Sequence, residues 1–384
     1  MIRKNPSGKV LFISHDAHRH GAEILFLHFL KWFRANTDIP FRFLLKNGGE
    51  LVPEFEALGP VDVWGMKTPD SLVHELRRAD IGLIYSNTFT NGPLLEGLSG
   101  LGCPVLTHVH ELHYWITYRL GQDNNEKVVA HTDRYIACSQ AVRDNLVESF
   151  GIPEGRIDVI HGFIPTKAYD GGSFRAEYAR LRIRRELGIP DDAFIVGCVG
   201  TTDWRKGGDL FAPLAKALGK RPGMGTYHCL WVGTEAKWQE RYGALMHDVT
   251  RLGLQDRISF AGAHPNTLDY FSLFDVFVLL SREDPYPLVN LEAASLGKPI
   301  VCFDKSGGSP EFIEDDCGFI VPYLDIDAMA DKVVQLAASP ELRMKMGERA
   351  QAKVRERHEL ESAAPKIVSV IRKVMSPAAA EAMR

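Results

Sequence analysis

Asp284 and Glu292 lie eight positions apart within FDVFVLLSREDPYPLVNLEAASLGKPIVCFDKSGGSPEFI, the stretch from Phe274 to Ile313. A turn and a helix start separate the two acids. That arrangement can set one carboxylate against a sugar ring and the other against a ribose, as moving a sugar off a nucleotide would require. Pro287 suits the first position of a helix, where its missing N–H costs nothing. Leu288, Val289 and Asn290 would then offer backbone N–H groups at the positive end of that helix, a good seat for a diphosphate. Acids also decorate helix starts for purely local reasons, and the pair alone does not separate the two readings.

A second cluster, TTDWRKGGDL (201–210), places Arg205 and Lys206 in a glycine-containing loop that opens a helix. Two cations beside a helix start can neutralise a leaving diphosphate without a metal ion. A solvated loop cation is the plain alternative for each. Gly233 and Gly262 end strand-like runs, where a glycine lets a base or ribose approach the backbone, although glycine also simply ends strands. Glu235 reads more simply as a helix-start acid.

The elements that must position these groups alternate along the whole chain. Short apolar runs separated by amphipathic stretches are the mark of parallel βαβ units. In the first half they are 10–14, 41–45, 81–85, 104–109, 135–138 and 157–160, with helices at 22–36 and 139–151. Ser139 is placed to cap the latter helix and Gly151 to end it. The pattern lapses from Pro165 to Asp192, a polar, basic connector with room for one helix. It resumes at 194–200, 227–233, 257–262, 275–280, 299–303 and 318–322. The last 60 or so residues read as helical, with a break expected at Pro365.

Two doubly wound α/β domains are therefore expected: residues 1–165, residues 166–362, and a C-terminal helix at 363–384 that packs back on the first domain. A chain of 384 residues exceeds what one hydrophobic core usually supports. Tandem doubly wound domains would face each other across a cleft, with ligands at the strand carboxyl ends. Neither domain carries G-x-G-x-x-G after its first strand, which disfavours a nicotinamide dehydrogenase.

Composition narrows the class further. Hydrophobic residues make up 45% and charged residues 24%, as in ordinary globular proteins, and a net charge of −4 disfavours nucleic acid as a partner. No apolar run approaches a membrane span, and VLFIS near the start reads as a buried strand rather than a signal peptide. The six scattered cysteines never form C-x-x-C. Reduced buried thiols and a cytoplasmic location are the expectation.

Three spacings occur together: Asp284-PYPLVNL-Glu292, then Gly297-Lys298-Pro299, then Gly307-Gly308-Ser309-Pro310-Glu311. In these the chain resembles the retaining glycosyltransferases of GT-B architecture and GT4 type, whose signature is E-x7-E, a G-x-P turn, a strand and a GG-x-x-E loop. The resemblance implies a nucleotide-sugar donor, a saccharide or lipid-linked saccharide acceptor, a role in cell-surface polysaccharide biosynthesis, and no metal or other cofactor. It implies that the first acid touches the donor sugar and that Glu292 holds the ribose hydroxyls. The first acid is Asp284, one methylene shorter than the family's glutamate, with Glu283 as the alternative. Lys206-Gly207 matches the end of the family's R-x4-K-G. Thr201 stands where the arginine would, and Arg205 is the candidate replacement. Leu288, Val289, Gly233, Gly307 and Gly308 complete the implied donor site.

In the first domain, Gly21 and Ala22 open a helix after SHDAHRHG and are the implied acceptor contacts. His15, His18 and His20 crowd that loop at no standard zinc spacing, so no metal is expected. His110, before Glu111, matches the family's active-site histidine, with His108 as the alternative. HELH is not H-E-x-x-H, which excludes a zinc protease of that type. VIHGFIP (159–165) is similar to the family's V-I-P-N-G-V. Trp32, with Lys31 and Arg34, belongs to the core side of its helix or to a peripheral membrane contact at the inner face. Two other functions share these features: a sugar-nucleotide epimerase of the same architecture, and a non-catalytic sugar-nucleotide-binding protein.

Overall fold

The computed structural model describes residues 8–19, 21–66, 69–169, 173–233, 240–264 and 266–376. His20, Glu235 and the end of the expected C-terminal helix lie outside them. The chain divides into two compact units, Met1–Phe163 with Leu360–Arg384, and Ile164–Glu359.

Unit one is built on a parallel sheet of seven strands: β1 (Lys9–Ser14), β2 (Phe41–Leu45), β3 (Val61–Val63), β4 (Ile81–Ser86), β5 (Val105–Val109), β6 (Arg134–Ala137) and β7 (Ile157–Val159). Their spatial order is β3-β2-β1-β4-β5-β6-β7. β4 and β5 are buried at every position, as central parallel strands covered on both faces must be. β3 was not expected. Its three residues, VDV, are all half-buried and too short to show a period.

Phe12 of β1 fills the centre of this unit, with ring centroids 5.2–6.2 Å from Phe26, Phe29, Phe33, Phe41, Phe43 and Tyr85. Phe26, Phe29 and Phe33 come from helix Gly21–Asn36 at the spacing that puts side chains on one face. Trp32 is half-buried, between exposed Lys31 and Arg34. Helix Gln140–Phe150 has the expected caps. Ser139 Oγ accepts the Val142 N–H at 3.1 Å, and Gly151 takes a left-handed φ of 63°.

Helix Leu360–Val374 packs on helix Gly21–Asn36. It continues through Pro365, contrary to the expected break. Pro365 and Glu361, the residue whose carbonyl loses its N–H partner, are both exposed, so water can take that bond.

Unit two carries a six-stranded parallel sheet: β8 (Phe194–Val199), β9 (Tyr227–Val232), β10 (Ile258–Phe260), β11 (Val276–Leu279), β12 (Ile300–Phe303) and β13 (Gly318–Val321), in the order β10-β9-β8-β11-β12-β13. Trp231 and Phe211 anchor its core, rings 5.1 Å apart, and the Trp231 indole N–H donates to Gly200 O at 2.7 Å. Lys353, its side chain fully buried, donates to Phe312 O and Glu314 at 2.9 Å each and pairs with Asp316. That contact binds helix Pro340–Arg357 to the segment after the glycine-rich loop. All six cysteines are buried. Among the described residues, no helix is long and apolar enough to cross a membrane.

Candidate functional site

Unit two brings its chemistry-bearing residues together on three loops that follow β8, β11 and β12, which are neighbours in the sheet. The loops are joined by backbone. Arg282 N–H donates to Arg205 O at 2.7 Å, and the Arg205 guanidinium returns a bond to Glu283 O at 2.9 Å. Arg282 itself grips Trp204 O and both oxygens of Asp209, at 2.6–2.8 Å. Asp203 caps the short turn Trp204–Lys206 by accepting the Arg205 N–H at 2.9 Å, and its carboxylate takes the Thr201 hydroxyl. Gly207 has φ 77°, and a β-carbon there would lie 2.1 Å from Leu280 O. Only glycine permits so close an approach.

These contacts aim Lys206 at Asp284. Lys206 Nζ forms an ion pair with Asp284 Oδ2, and Ser281 Oγ donates to the same oxygen at 3.4 Å. The lysine and aspartate side chains are 19% and 7% exposed, so the pair is largely out of water. Asp284 is also held by its backbone. Its N–H donates to Ser306 O at 2.7 Å, and its carbonyl accepts the Gly308 N–H at 3.1 Å. The glycine-rich loop therefore spends one N–H on fixing Asp284, and Gly307 lies alongside Asp284 as an isolated parallel bridge. Of the two neighbouring acids, Asp284 is the one beside Lys206, whereas Glu283 enters this network through its carbonyl.

Helix Leu288–Ser295 begins one residue later than expected. Pro287, with ψ 114°, is the N-cap rather than the first helical residue, and no side chain caps the end. Asn290 was expected to offer an outward N–H, but that group bonds Pro287 O at 3.1 Å. The pair at the open end is therefore Leu288 and Val289, both half-buried. Asn290 Nδ2 donates to Ser309 Oγ at 3.0 Å and ties the helix start to the glycine-rich loop.

Glu292, one turn into the helix, is half-buried and accepts the Tyr169 hydroxyl at 2.9 Å. Burial raises its pKa above the usual carboxylate value, and the tyrosine bond partly opposes that. Gly233 closes β9, its N–H on Gly262 O at 2.7 Å. A β-carbon on Gly233 would lie 2.7 Å from Gly200 O, so the ends of three strands crowd there. The sequence reading missed Tyr169, Ser281 and Ser306. Asp203 was open to discovery, since an aspartate three residues before a lysine loop is a standard N-cap.

Unit one gathers a separate polar cluster. His110 lies just past the end of β5, and its Nε2 is 3.3 Å from Asn87 Oδ1. Burial, and then the charge on His15, holds its pKa down at about 3, so it stays neutral at physiological pH. His108 sits inside β5, almost fully buried, with Nδ1 2.7 Å from the Tyr85 hydroxyl. It is a core histidine, and His110 is the one at the strand end. Glu111 accepts N–H bonds from Phe89 and His110 at 3.1 and 2.9 Å and the Thr88 hydroxyl.

Gly21 is the exposed first residue of its helix, and Ala22 O accepts Asn87 Nδ2 at 3.4 Å. His15 lies between two acidic side chains, 3.1 Å from Glu23 and 3.2 Å from Asp16. These three residues have the donor types of a metal site, their ligand atoms within 4.8 Å of one another. Burial and then Asp16 push the Glu23 carboxyl up to about 8. His18 belongs elsewhere, with Nδ1 2.6 Å from Glu50.

Comparison with solved structures places this architecture. Anabaena Alr3699/HepE in complex with UDP superposes with a TM-score of 0.82 over 95% of this chain and 100% of that one, at 21% identity. The same protein in complex with UDP-glucose gives 0.80 over 95% and 99%, also at 21%. The fold is that of the GT-B glycosyltransferases, two Rossmann-like domains.

The model described as "Glycosyl transferases group 1" matches residues 179–353, and the one described as "Glycosyltransferase Family 4" matches residues 16–168. The chain belongs to the GT4-type glycosyltransferases. Curated relatives include a D-inositol 3-phosphate glycosyltransferase of Saccharomonospora viridis, 27% identical over 57% of this chain and 50% of the relative. Another is the lipopolysaccharide core biosynthesis mannosyltransferase LpsB of Rhizobium meliloti, 30% identical over 45% and 48%. The chain spans about half the length of the curated relatives it matches.

Proposed function

We propose that this chain is a retaining, metal-independent glycosyltransferase. It moves a hexosyl unit from a nucleotide-diphosphate sugar to a saccharide or lipid-linked saccharide acceptor, in the assembly of a cell-surface polysaccharide. The observation that carries the proposal is the meeting of Lys206, Asp284 and the uncapped start of helix Leu288–Ser295 on loops hydrogen-bonded to one another. Such a group supplies cations, fixed N–H dipoles and a carboxylate at one place, which is what a diphosphate with an attached sugar requires.

In this reading Lys206 and Arg205 take the diphosphate with the N–H groups of Leu288 and Val289. Asp284 orients the sugar, with Glu283 as the alternative, and Glu292 takes the ribose. Gly233, Gly307 and Gly308 let the donor approach the backbone. Gly21 and Ala22 belong to the acceptor, and His110 is the residue of unit one assigned to the reacting sugar. The similar protein solved in complex with UDP and with UDP-glucose, and the relative named for lipopolysaccharide core biosynthesis, support this choice of donor and acceptor class. A cytoplasmic protein with peripheral membrane contact fits a lipid-linked acceptor.

Retention by double displacement needs an ionised carboxylate free to attack. Glu111 is occupied by three hydrogen bonds, and burial pushes the Glu23 carboxyl up to about 8, which disfavours its ionised form. Attack from the face of the departing diphosphate, with that leaving group stabilised by Lys206 and Arg205, is the more economical course.

The test is product analysis with a panel of nucleotide sugars and saccharide acceptors in the presence of EDTA, with anomeric configuration read by NMR. The expected product keeps the donor's configuration and forms at an unchanged rate in EDTA. An epimerised nucleotide sugar from donor alone would overturn the transferase reading. So would donor binding with no turnover across the acceptor panel.

A further inference from the structure

We propose that Tyr169 is a positioning residue for donor binding: its hydroxyl holds one oxygen of Glu292 so that the other faces the ribose diol. This rests on the reading of Glu292 as the ribose carboxylate. Tyr169 ends the single turn Thr166–Tyr169, and its hydroxyl lies 2.9 Å from Glu292 Oε1, across 123 positions of sequence. The turn is itself held by hydrogen bonds. Thr166 gives both its N–H, at 3.1 Å, and its hydroxyl to the Glu359 carboxylate, and Ile164 N–H donates to His358 O at 3.0 Å. The two places where the chain passes between its units, after Phe163 and after Glu359, are thus bonded to each other a few residues from Tyr169.

The chemistry suits a diol. A glutamate side chain has three rotatable bonds, and ordering it on ligand binding costs conformational entropy. A phenol donor fixes the carboxylate plane beforehand, and one oxygen still keeps its lone pairs for ribose hydroxyls. A lysine or arginine in the same place would fix the group equally well but would neutralise the charge that strengthens the ribose bonds. Tyrosine orients without neutralising. The hydroxyl also opposes the effect of burial on Glu292, which favours the ionised form that binds a diol. Donor affinity should therefore weaken as pH falls through the Glu292 pKa. Loss of the hydroxyl should raise that pKa and move the acid limb to higher pH.

The experiment is calorimetric titration of the full chain with UDP, GDP, ADP and CDP, followed by the 2′,3′-dideoxy counterpart of the tightest binder, across a range of pH. One hydrogen bond to a charged group is worth roughly ten- to a hundredfold, so wild type should prefer the ribonucleotide by about thirtyfold or more. Glu292→Gln should bring that ratio near one. Tyr169→Phe, which keeps the ring, should reduce it to about fivefold and shift the acid limb upward. A Tyr169→Phe protein that weakens both ligands equally, or leaves ratio and acid limb unchanged, would overturn the positioning role while leaving the ribose assignment standing. A ratio unaffected by Glu292→Gln, or no binding of any of the four diphosphates, would overturn the ribose assignment itself.

Discussion

Lys206→Ala is expected to lower the rate of glycosyl transfer about a thousandfold, the upper end of what removing one preorganised transition-state donor costs, and to destabilise the protein as well. The two effects have different origins. As a diphosphate departs, negative charge grows on its oxygens, and an ammonium already fixed beside it needs no reorganisation. Stability suffers because Asp284, only 7% exposed, loses its ionic partner and keeps Ser281 at 3.4 Å. Leaving one charge of a buried pair uncompensated costs about 3 kcal/mol. The double variant Lys206→Ala/Asp284→Asn removes the stranded charge and should recover most of the stability but none of the rate. Urea midpoints and initial rates on the three proteins separate the two. Recovery of rate in the double variant would reduce Lys206 to a counter-ion, and an unchanged rate in the single variant would put the diphosphate elsewhere.

Glu292→Gln should raise the donor KM by about thirtyfold, the value of a charged hydrogen bond to a hydroxyl, with a smaller effect on kcat. Its stability should move the opposite way from that of Lys206→Ala. Burial raises the Glu292 pKa above its unfolded value. The stabilising contribution of the protonated acid is then complete below the unfolded pKa and is lost as pH rises through the folded one. Above the folded pKa the ionised carboxylate is a cost that glutamine removes, so there the thermal midpoint should stay level or rise. A normal KM would refute the ribose role, and a large fall in midpoint would make Glu292 a structural residue instead.

Most strands were legible because each is a continuous apolar run bounded by polar helices. β3 was not, since three half-buried residues carry no period. Ser139 and Gly151 were readable because capping is local chemistry. The site was legible where it is local and obscure where it is tertiary. Asp284 and Glu283 are adjacent and chemically alike. What separates them is the grip of Ser306 and Gly308 on the Asp284 backbone, which pairing with a distant loop creates. His108 and His110 differ only in which one the sheet covers. Pro287 sits at the N-cap instead of the first helical position because helix starts are specified only to within a residue. Tyr169 lay in a connector that looked featureless, and its meaning comes wholly from a contact across the fold.

This chain is expected to take a nucleotide sugar as its substrate. Thermal unfolding of the full chain with a panel of nucleotide sugars at saturating concentration tests it most directly. Ligand at a hundred times Kd adds about 2.7 kcal/mol to the native state, so at least one sugar nucleotide should raise the midpoint by about 3 °C or more. The same compound should give a smaller rise in Glu292→Gln. A midpoint unmoved by every nucleotide sugar in the panel would contradict the account.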